Sequence, residues 1–242
     1  MGHCVRVAVA ALAGGMLGFI VHAANAAVPA LRDVPPGIAR EFRDDLVAEH
    51  DRLAARRDRI KAQVVAHNQR CTDVEEGSAE AARCTQARGE LQAAMTAYGA
   101  DVARFHQALG WRKALGCAMD EVYARAEALG PDGVRFASDL RGEMARVGGE
   151  AGKSPGDRDD VGVVVLKLDR QVSVGSGDAR RQFVVEAAVH RKGSGDVDVD
   201  VQSHLSGSDR GLEDTQSFLV VNQSGDVATG QHSPGVKACL AR

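Results

Sequence analysis

Between Leu91 and Leu109 the apolar residues Leu91, Met95, Tyr98, Val102, Phe105 and Leu109 follow one another at alternating steps of four and three, a narrow stripe along one side of a helix. Continued backwards through Arg88, the stripe reaches Cys84. A thinner stripe at the same spacing runs through Leu46, His50, Leu53, Arg57, Ile60, Val64, His67 and Cys71. Two antiparallel helices keep a constant sum of facing residue numbers. If Cys71 faces Cys84, then Val64 faces Leu91, Ile60 faces Met95, Arg57 faces Tyr98, Leu53 faces Val102, His50 faces Phe105 and Leu46 faces Leu109. One register therefore satisfies both the sulfurs and the apolar stripes, and it predicts a long helical hairpin over 36–109 with a coiled-coil-like seam closed by a Cys71–Cys84 disulfide. Chain entropy gives such a short loop about 3 kcal/mol.

The seam is half polar. Arg57 opposite Tyr98 and His50 opposite Phe105 set polar groups over rings, and the stretch from Arg40 to Lys61 is crowded with Arg, Asp and Glu, the composition of a solvated surface. Pro35-Pro36 suits a helix start, the first arm is expected to run to about Val74, and Glu75-Glu76-Gly77-Ser78 reads as the turn, with Gly77 as a left-handed stop and Ser78 as the next N-cap. Gly110 reads as a break after Leu109, followed by a third amphipathic helix on Trp111, Leu115, Met119, Val122, Ala126 and Leu129; a second arm running unbroken to Leu129 is the alternative. Gly130-Pro131-Asp132-Gly133 ends that segment, and a fourth helix is expected over Val134–Val147.

The stretch 148–160 (GGEAGKSPGDRDD) has the composition of a linker. Beyond it the period changes. Val161–Leu168 is β-branched and apolar, with Gln171–Val174 extending it after a kink, and Val197, Val199 and Val201 alternate with Asp196, Asp198 and Asp200. Ser217–Asn222 and Val227–Thr229 read as two more strands. Arg180–Lys192 carries both helical and strand features, and the run Phe183-Val184-Val185 favours a strand. The triplet Ser-Gly-Asp recurs at Ser176, Ser194 and Ser224, each time between apolar segments, as repeated turn chemistry does. Ser233-Pro234 can cap a last short helix. The fold class predicted is α+β: a stapled antiparallel hairpin with two further helices, then a small antiparallel β-rich C-terminal domain.

The first residues set the chemical context. Arg6, an apolar run from Val7 to Val21 and Ala24-Asn25-Ala26 have the layout of a secretory signal and its cleavage site, so the expected layout is a signal peptide at 1–26, a helical domain at 27–147, a linker at 148–160 and the β-rich domain at 161–242. The apolar run is shorter than the ~20 residues that cross a bilayer, and no stable membrane span is expected after cleavage. Export, periplasmic or secreted, permits disulfides, and without Cys4 an even set remains: Cys71, Cys84, Cys117 and Cys239. The second pair is expected to be Cys117–Cys239. A net charge of −3 with no basic block excludes the phosphate neutralisation that dominates nucleic-acid binding, and the 4% aromatic content leaves little for a sugar-stacking surface.

Candidate chemistry is sparse. His67 and Cys71 lie one helical turn apart, as metal ligands can, with Cys84 opposite, but a fourth ligand is missing, so a disulfide beside a seam histidine is the reading and no metal is expected. Asp196, Asp198 and Asp200 resemble the opening of a calcium loop, yet Val201 stands where its glycine belongs and Gly207 where its glutamate does; a weak site with Asp209 and Glu213 is the most that remains. Neither Cys117 nor Cys239 with His232 forms a recognisable thiol–base motif, hydrolase and phosphate-loop signatures are absent, and no cofactor is expected. The favoured expectation is a non-catalytic interaction or structural protein whose rigid hairpin meets a protein partner or a second copy of itself. The alternatives are an envelope hydrolase gathering His190, His204 or His232 with a carboxylate in the C-terminal domain, and a secreted effector or inhibitor.

Overall fold

The structure, a computed structural model, describes residues 28, 30–35, 38–153, 164–177, 180–206 and 215–242; the signal-like leader at 1–26 lies outside these. It is an α+β fold. Helices α1 (Arg40–Cys71), α2 (Ala79–Glu127) and α3 (Pro131–Lys153) are followed by strands β1 (Val164–Val174), β2 (Arg181–Arg191), β3 (Val197–Leu205), β4 (Thr215–Val221) and β5 (Val227–Gln231), then by the short helix α4 (Pro234–Leu240).

The α1–α2 turn follows its local chemistry. Gly77 adopts φ +80°, and the Ser78 hydroxyl accepts the N–H of Ala81 at 3.1 Å. The expected break at Gly110 does not occur: α2 continues to Glu127, and what was read as a separate third helix is its second half. A helical glycine costs only about 1 kcal/mol against alanine, and here α2 is buried on nearly every side, from Phe105 through Leu115 and Met119 to Ala126. Gly110 serves a close approach instead. A Cβ there would stand 2.2 Å from the carbonyl oxygen of Gly225. The positive φ of Gly130 (+93°) then ends the segment and Pro131 opens α3.

The five strands form one antiparallel sheet in chain order. Arg181–Arg191 is a strand, and β1 passes from Val164 to Val174 as a single element, its irregularity lying between Val164 and Leu166. The turns after β2 and β4 share one geometry. Lys192 N–H donates to Asp196 O (2.8 Å) and Asn222 N–H to Asp226 O (2.9 Å), with Gly195 and Gly225 both at φ +82°, so two of the three Ser-Gly-Asp triplets close three-residue hairpin loops, the glycine taking the left-handed position and the aspartate the closing one. One sheet face is apolar and covered, with Phe183, Val185, Ala187, Val189, Val199, Val201 and Leu219 almost fully buried. Helices pack on it: Phe136 meets Phe183 edge-on (centroids 6.1 Å), and Glu143 of α3 accepts from Arg170 Nε of β1 at 2.6 Å.

The chain divides into two compact units, and the division falls elsewhere than the 148–160 stretch. One unit contains Ala54–Ala100; the other joins Leu31–Leu53 to Asp101–Arg242. Helices and sheet thus share a core because α2 and α3 supply the apolar cover of the sheet. The α3 helix also extends beyond Val147 to Lys153, into the expected linker, whose remaining residues lie outside the described ones.

Candidate functional site

Within Ala54–Ala100 the register predicted from the stripes is visible. Cys71 and Cys84 are bonded, with Cα atoms 5.9 Å apart. Ile60, His67, Met95 and Tyr98 are the buried residues of this unit. Tyr98 is fully enclosed and its hydroxyl has no hydrogen-bond partner among the described residues. Burial raises the phenol pKa above its ordinary value, while the positive charge of Arg57, its expected partner, acts the other way. The same alignment holds within the second unit, where the His50 and Phe105 rings lie 6.2 Å apart. His67 Nδ1 rests 3.6 Å from Cys71 Sγ, so the imidazole packs on a sulfur already committed to a disulfide. Among the described residues no group of three or more His, Cys, Asp or Glu is placed to hold a metal ion.

The side of α2 away from this seam has a texture that the sequence reading overlooked. Ala82, Gly89, Ala93, Ala97 and Ala100 fall on one face by helical periodicity, and all are exposed. A Cβ built on Gly89 meets nothing within 4 Å. The seam stripe drew attention to the large residues, whereas this surface is defined by the small ones.

In the second unit the histidines and acids of interest are dispersed. His190 stands opposite Asp198, and His204 opposite Val184, on the sheet face turned away from the helices; His232 lies elsewhere, after β5. Asp198 is buried rather than solvated, with Oδ2 2.7 Å from Lys192 Nζ and Oδ1 unpaired, while Asp200 accepts weakly from Gln202. Asp209 and Glu213, the remaining ligands of the calcium reading, lie outside the described residues. Cys117 and Cys239 are bonded, Cα atoms 5.6 Å apart, which removes either as a nucleophile and fixes α4 to α2.

That bridge helps to shape a cleft of about 520 Å³ in this unit, within the size range of small-molecule sites. Its walls come from the segment before α1 at Pro35, from one flank of α2 (His106, Leu109, Lys113), from the turn at Gly225–Val227 and from α4 (Lys237, Leu240). The turn is seated by Gly225, where a Cβ would lie 2.0 Å from His106 O, and Gln107 Nε2 ties the neighbouring β2–β3 turn by donating to Gly195 O at 2.6 Å. Arg32 spans the mouth, its guanidinium 3.0 Å from Asp226 and its backbone N–H donating to His106 Nε2 at 3.1 Å. His106 is held below the usual imidazole pKa by burial and by the Arg32 charge, with Asp226 opposing. Lys113 Nζ donates to Leu240 O (2.8 Å), and His232 Nδ1 is buried without a partner. Sequence reasoning missed Arg32, Lys113 and Lys237 because only the tertiary fold assembles them; the repeated Ser-Gly-Asp turn was the one local signal pointing here. Comparison with known proteins adds no lineage to this arrangement: no protein-family model, curated protein or solved structure matches the chain.

Proposed function

We propose that this chain is an exported, non-catalytic interaction protein, periplasmic or secreted, whose stapled hairpin offers a helical surface to a protein partner or to a second copy. The observation that carries this reading is the balance of Ala54–Ala100: few residues are buried, a covalent staple holds the seam, and the small exposed residues Gly89, Ala93, Ala97 and Ala100 lie on the far side of α2. Two helices alone bury little apolar area, and helical stability in proteins comes mainly from packing of a face. A face of Ala and Gly lets another helix approach closely, and the staple holds it in shape before contact, which lowers the ordering cost of binding. The two disulfides suit an oxidising compartment, in keeping with the signal-like composition of 1–26.

The test is capture. The folded chain and its Gly89→Arg/Ala93→Arg variant are used as baits on envelope and secreted fractions, with light scattering to read self-association. Both positions are exposed, so the variant is expected to keep its far-UV circular dichroism while losing the partner, or the dimer, at least tenfold. A captured set that ignores the substitution, together with an unchanged mass in solution, refutes the proposal.

A further inference from the structure

We infer that the cleft between α2, the β4–β5 turn and α4 is a binding site for a small amphipathic organic anion of the carboxylate class. The site is independent of the hairpin reading. Its charge is unbalanced towards the positive. Of the two carboxylates, Asp226 is matched by Arg32, and the Asp33 side chain is 97% exposed with its one ionic neighbour at His50. Lys113 and Lys237 are left without an acidic partner among the described residues: the one side-chain hydrogen bond of Lys113 goes to the Leu240 carbonyl.

The polar groups converge with apolar ones. The His232 ring lies in the wall of the cleft, and His106, whose Nε2 takes the Arg32 N–H, lines it beside Lys113. Pro35, Leu109, Val227 and Leu240 supply the non-polar wall. Two ammonium groups against such a wall match a single carboxylate head with a short hydrocarbon body. A bare phosphate would leave the wall unused, and the guanidinium that could grip one in a fork is already engaged by Asp226.

Octanoate is the probe, titrated into the folded, oxidised chain by calorimetry, with octanol and inorganic phosphate as matched controls and the ring resonances of His106 and His232 followed by NMR. Saturable octanoate binding that shifts both rings is expected, weakened about tenfold by Lys237→Gln, in line with loss of one charge-assisted contact. The Lys237 side chain is exposed and makes no hydrogen bond among the described residues, so this variant keeps the fold; Lys113→Gln, which also loses its tie to α4, is checked by circular dichroism first. No saturable binding overturns the inference. Equal affinity for octanol overturns the anionic assignment, equal affinity for phosphate overturns the amphipathic one, and binding insensitive to Lys237→Gln places the ligand elsewhere.

Discussion

His106 shows how one side chain can carry a pH dependence out of proportion to its exposure. Its Nε2 accepts the Arg32 N–H, so the proton of the neutral ring sits on Nδ1, and burial together with the neighbouring guanidinium disfavours a second proton. The folded pKa lies below the ordinary imidazole value of 6.5, so on acidification through that value the unfolded chain takes up a proton that the folded chain refuses. Stability from this group is therefore complete above the unfolded pKa and declines as pH falls, levelling once the folded ring is also protonated. An NMR titration is expected to place the His106 midpoint below 6.5, and His106→Gln to flatten the acid limb of the urea midpoint against pH. A midpoint at or above 6.5 contradicts the geometry. Little of this was legible beforehand, because the charges that act on His106 come from Arg32, which disfavours its protonation, and from Asp226 of the β4–β5 turn, which opposes that, both far off in sequence. Ser78 and Ser233 were legible: their partners, Ala81 and Val236, lie three residues on, where periodicity alone decides.

At the scale of elements, the lesson concerns glycine. Gly89 and Gly110 both sit inside α2, and sequence offers no way to tell them apart. Gly89 faces open space, so Gly89→Ala is expected to stabilise the protein by about 0.8 kcal/mol through helix propensity. Gly110→Ala drives a methyl into the Gly225 carbonyl and is expected to cost about 2 kcal/mol, the range for overpacking at an unyielding backbone. Paired denaturation curves separate the two, and a stabilising Gly110→Ala would mean that the turn does not seat on the helix. The strands were more readable than the helices' limits. Alternation of Val and Asp in 197–201 reports one covered face directly, and the hairpin register followed from sulfurs and stripes together. The length of α2 was not readable, since a local breaker and a long-range contact ask for the same residue.

In the molecule as a whole, the two disulfides act at different ranges. Cys71–Cys84 spans 13 residues and Cys117–Cys239 spans 122, and chain entropy gives the larger ring the greater effect. Replacing both Cys117 and Cys239 by serine is expected to lower unfolding free energy by about 5 kcal/mol, against about 3 for the hairpin pair. Urea unfolding under non-reducing conditions measures both, and a loss below about 1 kcal/mol for the larger ring would show that Ser233, Glu121, Val236 and Lys113 hold α4 without the bridge. The wide ring also decides where mechanical load travels. If the chain is pulled from its two ends, tension enters α2, crosses from Cys117 to Cys239 through sulfur and leaves by the last three residues. All five strands lie inside the bypass, so they bear none of the pull, and stretching can lengthen only the segments outside it until a reductant cuts the bond.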